Sequence, residues 1–565
     1  MNFKRLFLAL SLLLATAISA QASLGEQVKK IKCGKGVTLM GVVYCGDEPV
    51  EGVAVTDGSQ IVRTDRNGIY RIASTKPYGL VYISTPSGYE TVCDRNIIPQ
   101  FWAKTTLAPK KRERHDFELR KVADSRFSIF MCADSHFCND TKRGDLAYFS
   151  EHHMPIVQKV YDEVKQTPTY TILLGDITWD QYWVRANFDL DSVPEFLNEN
   201  NYPMPVYTIM GNHDNDPSVP AGENTDFLAA NRYRNVFGPT FYSMDKGGVH
   251  FVMLDNIVYK NTVKPGEKLK PGVVGSRNYD VYVDEAQLEW LRKDLASVAK
   301  STTLVVCMHS PLRRLSEKGN ASRAFKKGTE EALLAILKDF ADVRIFAGHM
   351  HQSHCLKVGG YPNITEYTTP SVCGELWKTP NETGRNFCDD GTLAGFTLCT
   401  FDGGKLTDRV YYGQQGETTP IRIYDMNSVA KYYAESKDAS MLHHLCELLP
   451  NQKYYAAAEF AGYVYINCWY CDRGVKVEAT EAGKPLEVEK VKSSEPWSAV
   501  AILGPAMKKK HKINKRNNKL SIVEHLYRVK PAAADTPVTV TVTTPYGTKY
   551  TQTLERPAAF PAFDK

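Results

Sequence analysis

Five short polar phrases, each placed directly after an apolar run, mark the middle of this 565-residue chain. They are DSH at 134–136, GD at 175–176, GNHD at 211–214, MHSP at 308–311 and GHMH at 348–351. The runs ILL, VYTIM, TLVVC and VRIFA precede the last four phrases and are typical of buried strands. Open α/β sheets gather functional side chains at the carboxyl ends of their strands. The pattern therefore predicts an α/β domain with one site assembled from distant segments.

The residue types in these phrases predict a metal centre. They supply oxygen and nitrogen donors without a thiolate, a mixture that suits Zn, Mn, Fe or Ni better than a soft metal or a cluster. Seven donors exceed what one four-coordinate ion uses, whereas two divalent transition-metal ions that share a carboxylate would use all of them. The predicted metal ligands are Asp134, His136, Asp176, Asn212, His309, His349 and His351.

The order D-x-H, GD, GNH[DE], H and GHxH resembles the calcineurin-like metallophosphoesterase superfamily, and residues 127–402 carry the whole resemblance. The resemblance implies an α/β fold of the αββα-sandwich type and the hydrolysis of phosphomonoesters or phosphodiesters. It assigns one metal ion to Asp134, His136, Asp176 and His351, and the other to Asp176, Asn212, His309 and His349. Asp176 would thus bridge the two ions, and a hydroxide between them would attack phosphorus.

The resemblance also implies a catalytic role for His213, which is not needed as a ligand. In the family pattern this histidine protonates the departing oxygen as a general acid, which requires a pKa near the operating pH. Asp214, the next residue, is predicted to orient the imidazole. The alternative for Asp214 is a purely local role, because an aspartate in this position also caps turns.

Substrate selectivity is expected in the loops around the metal-binding rim. Asp180, Arg313 and Arg314 are predicted to bind substrate, since arginine is well suited to clamp phosphate oxygens. Ordinary surface ion pairing is the alternative for the two arginines. The further candidates in these loops are Asn139, Asp140, Trp179 and Trp377.

Strand-rich segments flank the central domain, and we predict three domains after a cleaved leader. Residues 24–121 are expected to form a β-sandwich that resembles transthyretin-like or carboxypeptidase-regulatory modules, 122–408 the phosphoesterase domain, and 409–565 a second β-rich domain. This order resembles the exported, three-module type of the family. In the first module, Asp57, Asp65 and Asn67 are predicted to serve turns rather than to bind calcium.

The first twenty residues predict a secretory signal peptide, with Lys4 and Arg5 before an apolar run and small residues around Ala20. We therefore expect an exported chain, periplasmic or extracellular, without a transmembrane segment after cleavage. Removal of 1–20 lowers the formal net charge from +5 to +3, which does not indicate a nucleic-acid partner. The one basic run, KKKHKINKR at 508–516, is expected to be a solvated loop, with contact to an anionic surface as the alternative.

Two functions from different classes fit the sequence. The favoured one is an exported, dinuclear-metal phosphoesterase whose partner is a phosphate-ester substrate. The alternative is a binding protein of the cell envelope in which the β modules carry the function, with possible envelope contact through those modules. Intact ligand positions and His213 favour the enzyme. The thirteen cysteines are an odd number, and C-x-x-C at 468–471 is expected to be structural because no second pair follows it.

Overall fold

The computed structural model describes residues 23–95, 97–142, 144–316, 318–375, 386–449, 452–498, 500–501 and 520–560. The chain divides into two units, one made of the residues up to Val92 with Gln100–Val122, and one made of Cys93–Pro99 with the chain from Ala123 onwards. The predicted signal peptide at 1–20, the candidate Trp377 and the basic run at 508–516 lie outside the described residues. In the part of the chain that is described, every helix is too short or too polar to cross a lipid bilayer.

The first unit consists of short strands, as its β-branched and aromatic runs predict. After α1 (Leu24–Gln27), the strands up to residue 121 are β1 (Leu39–Cys45), β2 (Glu48–Pro49), β3 (Ala54–Thr56), β4 (Ile61–Arg63), β5 (Ile69–Ile72), β6 (Leu80–Ile83), β7 (Tyr89–Thr91), β8 (Cys93–Asp94), β9 (Ile98–Pro99), β10 (Trp102–Lys104), β11 (Glu113–Arg114) and β12 (Phe117–Lys121). One sheet is centred on β1 and β12, and a second has the order β10-β6-β3-β4. The pair β8 and β9 belongs to the second unit.

Asp57 and Asp65 of the first unit lie in turns, which is the role predicted for them. The carboxylate of Asp57 accepts hydrogen bonds from the backbone N–H groups of Ser59 at 2.9 Å and Gln60 at 2.7 Å. The carboxylate of Asp65 accepts one from the N–H of Asn67 at 2.9 Å. These contacts are those of Asx turns, in which a side-chain oxygen replaces a backbone acceptor.

The central domain holds two five-stranded sheets. Its strands are β13 (Arg126–Cys132), β14 (Thr169–Leu174), β15 (Val206–Ile209), β16 (Tyr242–Lys246), β17 (Val249–Leu254), β18 (Ile257–Tyr259), β19 (Tyr279–Val281), β20 (Thr303–Met308), β21 (Arg313–Leu315), β22 (Ala321–Arg323), β23 (Asp342–Ala347), β24 (Ile364–Thr368), β25 (Gly395–Asp402) and β26 (Lys405–Gly413). One sheet has the order β15-β14-β13-β25-β26 and the other β16-β17-β20-β23-β24.

The two sheets of the central domain face each other through aromatic side chains. The ring of Phe251 on β17 lies 6.0 Å from that of Phe127 on β13 and 5.5 Å from that of Phe401 on β25. Helices cover the outer faces: α2 (Asp145–Tyr148), α3 (Met154–Val164), α4 (Trp183–Ala186), α5 (Val193–Glu199), α6 (Thr225–Ala229), α7 (Asn231–Val236), α8 (Glu285–Leu295) and α9 (Glu330–Leu337). The predicted αββα sandwich is therefore confirmed.

The predicted boundary between the central and C-terminal domains needs a correction. The prediction places it between residues 408 and 409, but β26 continues to Gly413 and pairs with β25 on both sides of a bulge between Thr400 and Phe401. The central sheet therefore ends five residues later than predicted. The edge strand of one sheet and the first strand of the next both show alternating apolar and polar residues. This alternation alone therefore does not reveal where one sheet ends and the next begins.

The C-terminal domain is a two-sheet β structure with two helices. Its elements are β27 (Ile421–Asp425), α10 (Met426–Glu435), α11 (Ala439–Leu448), β28 (Val464–Cys468), β29 (Lys476–Glu481), β30 (Lys484–Leu486), β31 (Glu489–Lys490), β32 (Leu526–Val529), β33 (Val538–Thr543) and β34 (Lys549–Leu554). The sheets have the orders β27-β28-β32-β31 and β30-β29-β33-β34. The two helices were not predicted, although Val429 and Tyr433, four residues apart, are both buried.

A buried polar network, the Ser353–Asp390 network, joins the central domain to the C-terminal strands. The carboxylate of Asp390 accepts a hydrogen bond from the N–H of Ser353 at 2.6 Å and contacts the Nε2 of His525 at 3.1 Å. The Nδ1 of His525 in turn contacts Asn467 at 2.7 Å, and the hydroxyl of Ser353 donates to the carbonyl oxygen of Trp469 at 2.6 Å. Because buried polar groups need such partners, the two domains share one core at this point.

Candidate metal centre

The seven predicted ligands converge at the carboxyl ends of five strands. Asp134 and His136 follow β13, Asp176 follows β14 and Asn212 follows β15, all in one sheet. His309 follows β20, and His349 and His351 follow β23, in the other sheet. Both sheets therefore deliver polar side chains to the same rim, which is where the topology of an α/β sandwich places a site.

One group of donors surrounds His136 and His351. The Nε2 atoms of these two histidines lie 3.2 Å apart. The Nε2 of His351 is 3.4 Å from a carboxylate oxygen of Asp134, and the Nε2 of His136 is 3.6 Å from the Oδ2 of Asp176. All four side chains are buried. They are the four residues that the family pattern assigns to one ion.

A second group of donors surrounds His309. Its Nε2 lies 3.1 Å from the Nδ1 of His349, 3.2 Å from the side-chain oxygen of Asn212 and 3.3 Å from the Oδ2 of Asp176. The same oxygen of Asp176 is thus next to a histidine of each group. This shared position is the geometry that a bridging carboxylate requires.

The donor atoms fit divalent transition-metal ions. The Nδ1 of His309 contacts the carbonyl oxygen of Leu174 at 2.8 Å, and the Nδ1 of His351 contacts that of Gly374 at 3.0 Å. A proton on Nδ1 in each case leaves the Nε2 lone pair directed at the carboxylates, the arrangement typical of histidine ligands. Several lone pairs and carboxylates that approach each other at about 3 Å in a buried site need a cation between them.

The backbone at five of the seven positions has an unusual conformation. Asp134, His136, Asp176, His349 and His351 have φ between 48° and 68°, the left-handed region that favours glycine. A residue with a side chain pays roughly 1–2 kcal/mol there. The neighbouring Gly211 permits the close packing around them, since a Cβ at this position would lie 2.1 Å from the backbone nitrogen of Asp176.

A thiol also reaches the first donor group. The Sγ of Cys373 lies with ring nitrogens of His136 and His351 in a set whose atoms are all within 4.8 Å of one another. The cysteine is buried, burial raises the pKa of its thiol, and its S–H donates to the carbonyl oxygen of Gly374 at 3.2 Å. The seven predicted metal ligands include no thiol, and nothing in the stretch SVCGELW distinguishes this cysteine from a core residue.

His213 lies beside the shared carboxylate. A ring nitrogen of His213 is within 4.8 Å of donor atoms of His136 and Asp176, and its Nδ1 is 2.8 Å from the carboxylate of Asp180. Burial lowers the pKa of His213, but the carboxylates of Asp176 and Asp180 outweigh burial and raise the pKa above its ordinary value. About a quarter of the side chain, 24%, remains exposed, so the ring is accessible from outside the site.

The structure places Asp180, and not Asp214, against the ring of His213. Asp214 does not contact the ring of His213; its fully buried carboxylate accepts hydrogen bonds from the N–H groups of Gly211 at 2.9 Å, Thr178 at 3.0 Å and Ile177 at 3.2 Å. It ties the GD turn to the GNHD turn, which is the local alternative. Asp180, predicted to bind substrate, is the residue that contacts His213.

The two arginines predicted to bind substrate lie in the β21–β22 hairpin. Arg313 forms an ion pair with Glu330, and its N–H donates to the carboxylate of Glu366 at 3.0 Å. Its guanidinium is therefore engaged in an ion pair within the domain, which is the alternative to substrate binding for this residue. Arg314 is exposed on the same hairpin. The candidate Asp140 accepts from the N–H of Lys142 at 3.2 Å and so forms a local turn.

Two further residues at the site, Arg277 and Tyr279, were missed. The Nη1 of Arg277 lies 2.7 Å from the carboxylate of Asp180 and 3.3 Å from the Nδ1 of His213. The hydroxyl of Tyr279 lies 3.4 Å from the Nε2 of His349. Arg277 lies near the end of the long connection between β18 and β19, and Tyr279 begins β19, more than sixty residues beyond GNHD. No motif marks them in the sequence.

The position of Arg277 is fixed by Asn261, a buried residue at the other end of this connection. The side-chain oxygen of Asn261 accepts the N–H of Arg277 at 3.0 Å. Its amide nitrogen donates to the carbonyl oxygens of Pro217 at 3.1 Å and Val219 at 2.7 Å, in the segment that follows GNHD. Arg277 also has a left-handed φ of 53°, so the backbone here is held by its contacts.

Family models match the chain in three consecutive parts. The model of the N-terminal domain of calcineurin-like phosphoesterases matches residues 37–122, that of the calcineurin-like phosphoesterase domain matches 127–353, and that of the C-terminal domain matches 366–550. The chain belongs to the calcineurin-like phosphoesterase family. The three-module type predicted from the sequence is thereby confirmed.

Individual relatives of this calcineurin-like phosphoesterase have low sequence identity to it. Purple acid phosphatase 23 of Arabidopsis thaliana is 27% identical over 262 residues, 40% of this chain and 50% of the relative. Purple acid phosphatase 15 of the same plant is 25% identical over 218 residues, 33% of this chain and 36% of the relative. The chain thus spans half or less of the length of these curated relatives. A dimetal phosphatase from Danio rerio aligns with 51% of this chain and 96% of its own, at 18% identity and a TM-score of 0.33.

Proposed function

We propose that this chain is an exported, metal-dependent phosphoric ester hydrolase that acts on phosphomonoesters or phosphodiesters, with His213 as the general acid. The observation that carries the proposal is the position of Asp176, whose Oδ2 lies next to His136 of one donor group and His309 of the other. Export is supported by the N-terminal sequence, with its basic start and short apolar run.

Two divalent ions held by the seven ligands would supply an activated water at neutral pH and neutralise charge on the phosphoryl oxygens. Asp134, His136, Asp176 and His351 would hold one ion, and Asp176, Asn212, His309 and His349 the other. Asp176 would be shared by the two ions, and its negative charge would offset the repulsion between them.

The proton for the leaving group would come from His213. Its Nδ1 faces the carboxylate of Asp180 at 2.8 Å, so that a proton on Nδ1 is held there and the Nε2 carries the proton that is transferred. The guanidinium of Arg277, 2.7 Å from the same carboxylate, partly neutralises Asp180. Asp180 and Arg277 act through His213 and are positioning residues. Arg277 in addition places a cation 3.3 Å from the ring of His213, where it would attract a phosphoryl oxygen.

The first test is turnover of the purified chain with p-nitrophenyl phosphate and bis-p-nitrophenyl phosphate, with and without Mn²⁺ or Zn²⁺. We expect turnover that depends on the added metal, and the ratio of the two rates distinguishes a monoesterase from a diesterase. No metal-dependent turnover across a broad panel of phosphate esters would contradict the proposal and favour the alternative of an envelope-binding protein.

Replacing Asp180 with asparagine should move the pH profile as well as the rate. The carboxylates of Asp176 and Asp180 raise the pKa of His213, so losing one of them lowers that pKa. A general acid loses its proton as pH rises through its pKa, and the basic limb of the kcat profile should therefore shift to lower pH. We expect kcat to fall roughly 10–100-fold, the usual effect of removing such a partner.

Measurement of kcat against pH tests this shift. The matched control is Asp189→Asn, which removes the carboxylate of an ion pair with Arg232 in the same domain and contacts no histidine. A basic limb that stays in place in Asp180→Asn would show that Asp180 does not set the pKa of His213.

Removal of metal should lower the thermal stability of the chain. Binding to the folded state at a hundred times Kd adds about 2.7 kcal/mol, which for a domain of this size corresponds to a shift in Tm of roughly 5–10 °C. We expect Tm to fall by this amount when a chelator is added to the Mn²⁺-loaded protein. The His351→Asn variant should show a smaller response. Equal Tm values with and without chelator in the unmodified chain would contradict a preformed metal site.

A further inference from the structure

Exposed large apolar side chains are concentrated in the central domain. Six such residues are found in the described part of the chain, and only Leu107 lies in the first unit. The other five lie on three short segments of the central domain, and we call them the apolar rim. The apolar rim consists of Val184, Leu228, Val263, Leu269 and Val274, with exposed fractions of 38–65%. Single exposed apolar residues are ordinary, whereas a group of them indicates a binding surface.

Direct contacts hold the three segments together. Residues 260–278 form the loop that carries Val263, Leu269 and Val274. In this loop, Lys270 donates to the side chain of Gln181 at 2.7 Å and its ammonium lies 4.7 Å from the centre of the Tyr182 ring. The N–H of Val274 donates to the carbonyl oxygen of Pro217 at 3.0 Å. The loop therefore packs on the segment that carries Val184.

The same contacts place the apolar rim next to the catalytic groups. A Cβ added to Gly272 would lie 2.2 Å from the side chain of Val184, so the loop backbone touches that valine. The loop ends at Arg277, which contacts both Asp180 and His213. Helix α6, which carries Leu228, is tied to the strand before the loop by the N–H of Tyr259, which donates to Asp226 at 2.6 Å.

Basic side chains alternate with the apolar ones along this loop. Its sequence, KNTVKPGEKLKPGVVGSRN, has five basic residues and a single acidic one, Glu267. Lys260 pairs with Asp280 at 2.6 Å, and Arg277 with Asp180. Within the described residues, the exposed Lys264 and Lys268 form no ion pair. Lys264 thus follows Val263 directly and Lys268 directly precedes Leu269.

We propose that the apolar rim, together with Lys264 and Lys268, docks the chain on the surface of an anionic phospholipid bilayer. Valine and leucine side chains of this kind enter the boundary between head groups and acyl chains, and lysine contacts head-group phosphates. Each basic residue near an anionic leaflet adds to the affinity, and salt weakens this contribution. A soluble small-molecule substrate would not require five exposed apolar residues outside the site.

The docked orientation has a consequence for substrate choice, which rests on the proposed function. The loop ends at Arg277, so head-group phosphates would lie at the edge of the site formed by Arg277 and His213. Phosphate esters of lipid head groups are then the substrate class that the surface presents. This contact uses the central domain and not the flanking β modules.

The experiment is co-sedimentation of the full chain with vesicles of phosphatidylcholine alone or mixed with phosphatidylglycerol. We expect binding to the mixed vesicles that weakens as salt is raised, and little binding to phosphatidylcholine. The double variant Lys264→Gln/Lys268→Gln should bind about 30-fold more weakly. Val263→Ser/Leu269→Ser should also bind more weakly, while it keeps the salt dependence.

Matched controls come from exposed residues elsewhere. Leu107→Ser removes the exposed large apolar residue found among the described residues of the first unit, and Lys405→Gln/Lys437→Gln removes two exposed lysines outside the loop. Both controls should bind like the unmodified chain. Unchanged binding by the loop variants, or no binding of the unmodified chain to anionic vesicles, would overturn the docking surface.

Turnover of bis-p-nitrophenyl phosphate separates the two proposals. The loop variants change none of the predicted metal-ligating residues. They should therefore keep the turnover of this soluble ester and the Tm of the unmodified chain. Loss of vesicle binding with normal turnover supports the docking surface. Normal vesicle binding in a chain that hydrolyses no ester would leave the docking surface standing and overturn the proposed function.

Discussion

Asp176→Asn should abolish binding of both metal ions and lower kcat/KM by at least about 10³-fold. The neutral amide cannot bridge two dications, and its nitrogen would face His136 or His309, which lie 3.6 and 3.3 Å from the present oxygen. Metal ions supply several kcal/mol of charge stabilisation in such reactions, and about 1.4 kcal/mol corresponds to a factor of ten. The measurements are elemental analysis of the purified variant and turnover of bis-p-nitrophenyl phosphate.

The control for this variant is Asp216→Asn in the same domain. The carboxylate of Asp216 accepts the N–H of Ser218 at 2.9 Å in a local turn, so its loss should leave the metal content and rate nearly unchanged. Two metal ions retained by Asp176→Asn, with a rate close to that of the control, would contradict the bridging role.

His213→Asn should show an effect that depends on the leaving group. General acid catalysis contributes roughly 10²–10⁴-fold, and we expect a loss of this size in kcat for an alkyl phosphate, whose alkoxide needs a proton to depart. The loss should be much smaller for p-nitrophenyl phosphate, because p-nitrophenolate is a stable anion. The measurement is kcat for both esters at the same pH and metal concentration.

Metal content decides between the two roles that the geometry allows for His213. A ring nitrogen of His213 lies within reach of the donors of His136 and Asp176, so a ligand role is geometrically possible. Retention of two ions in His213→Asn fits the general acid, and loss of one ion with equal rate losses for both esters would identify a ligand. His443→Asn changes an exposed histidine on α11 and is the control, since it should keep the metal content and the rates of the unmodified chain.

The location of the site was predictable because it depends on strand ends. Each of the five phrases follows an apolar run, and a sheet brings the carboxyl ends of its strands to one edge whatever the lengths of the connections. The grouping around His136 and around His309 agrees with the family pattern. The approach of these side chains at about 3 Å rests on left-handed backbone at positions such as Asp134 and Asp176, which the phrases themselves do not reveal.

The partner of His213 could not be read from adjacency in the sequence. Asp214 lies in a single turn, Asn212–Asp214, that directs its carboxylate back to the N–H of Gly211. Asp180 begins the turn Asp180–Tyr182, from which its carboxylate reaches the Nδ1 of His213. The directions of the two side chains depend on turn geometry in three dimensions, so the aspartate next to His213 in the chain is not the one that contacts its ring.

Residues delivered by connections were the main omission. Arg277 and Cys373 reach the site from segments without a motif, and their types are common in surface loops and cores respectively. By contrast, α10 had a visible signal, since Val429 and Tyr433 are spaced as on one face of a helix. The strand-rich segments on either side favoured a β-rich prediction for the whole of residues 409–565.

The Ser353–Asp390 network bears on whether the central domain can stand without the C-terminal strands. Family models divide the chain after residue 353 and before residue 366, between the two residues that name this network. A gene that carried the central domain without its C-terminal strands would lose Asn467, His525 and the carbonyl of Trp469, and leave Asp390 and Ser353 without those partners. Ser353 lies two residues from His351. Removing the C-terminal strands would therefore disturb the segment that carries the predicted ligand His351, and the central domain depends on those strands for a fully paired core.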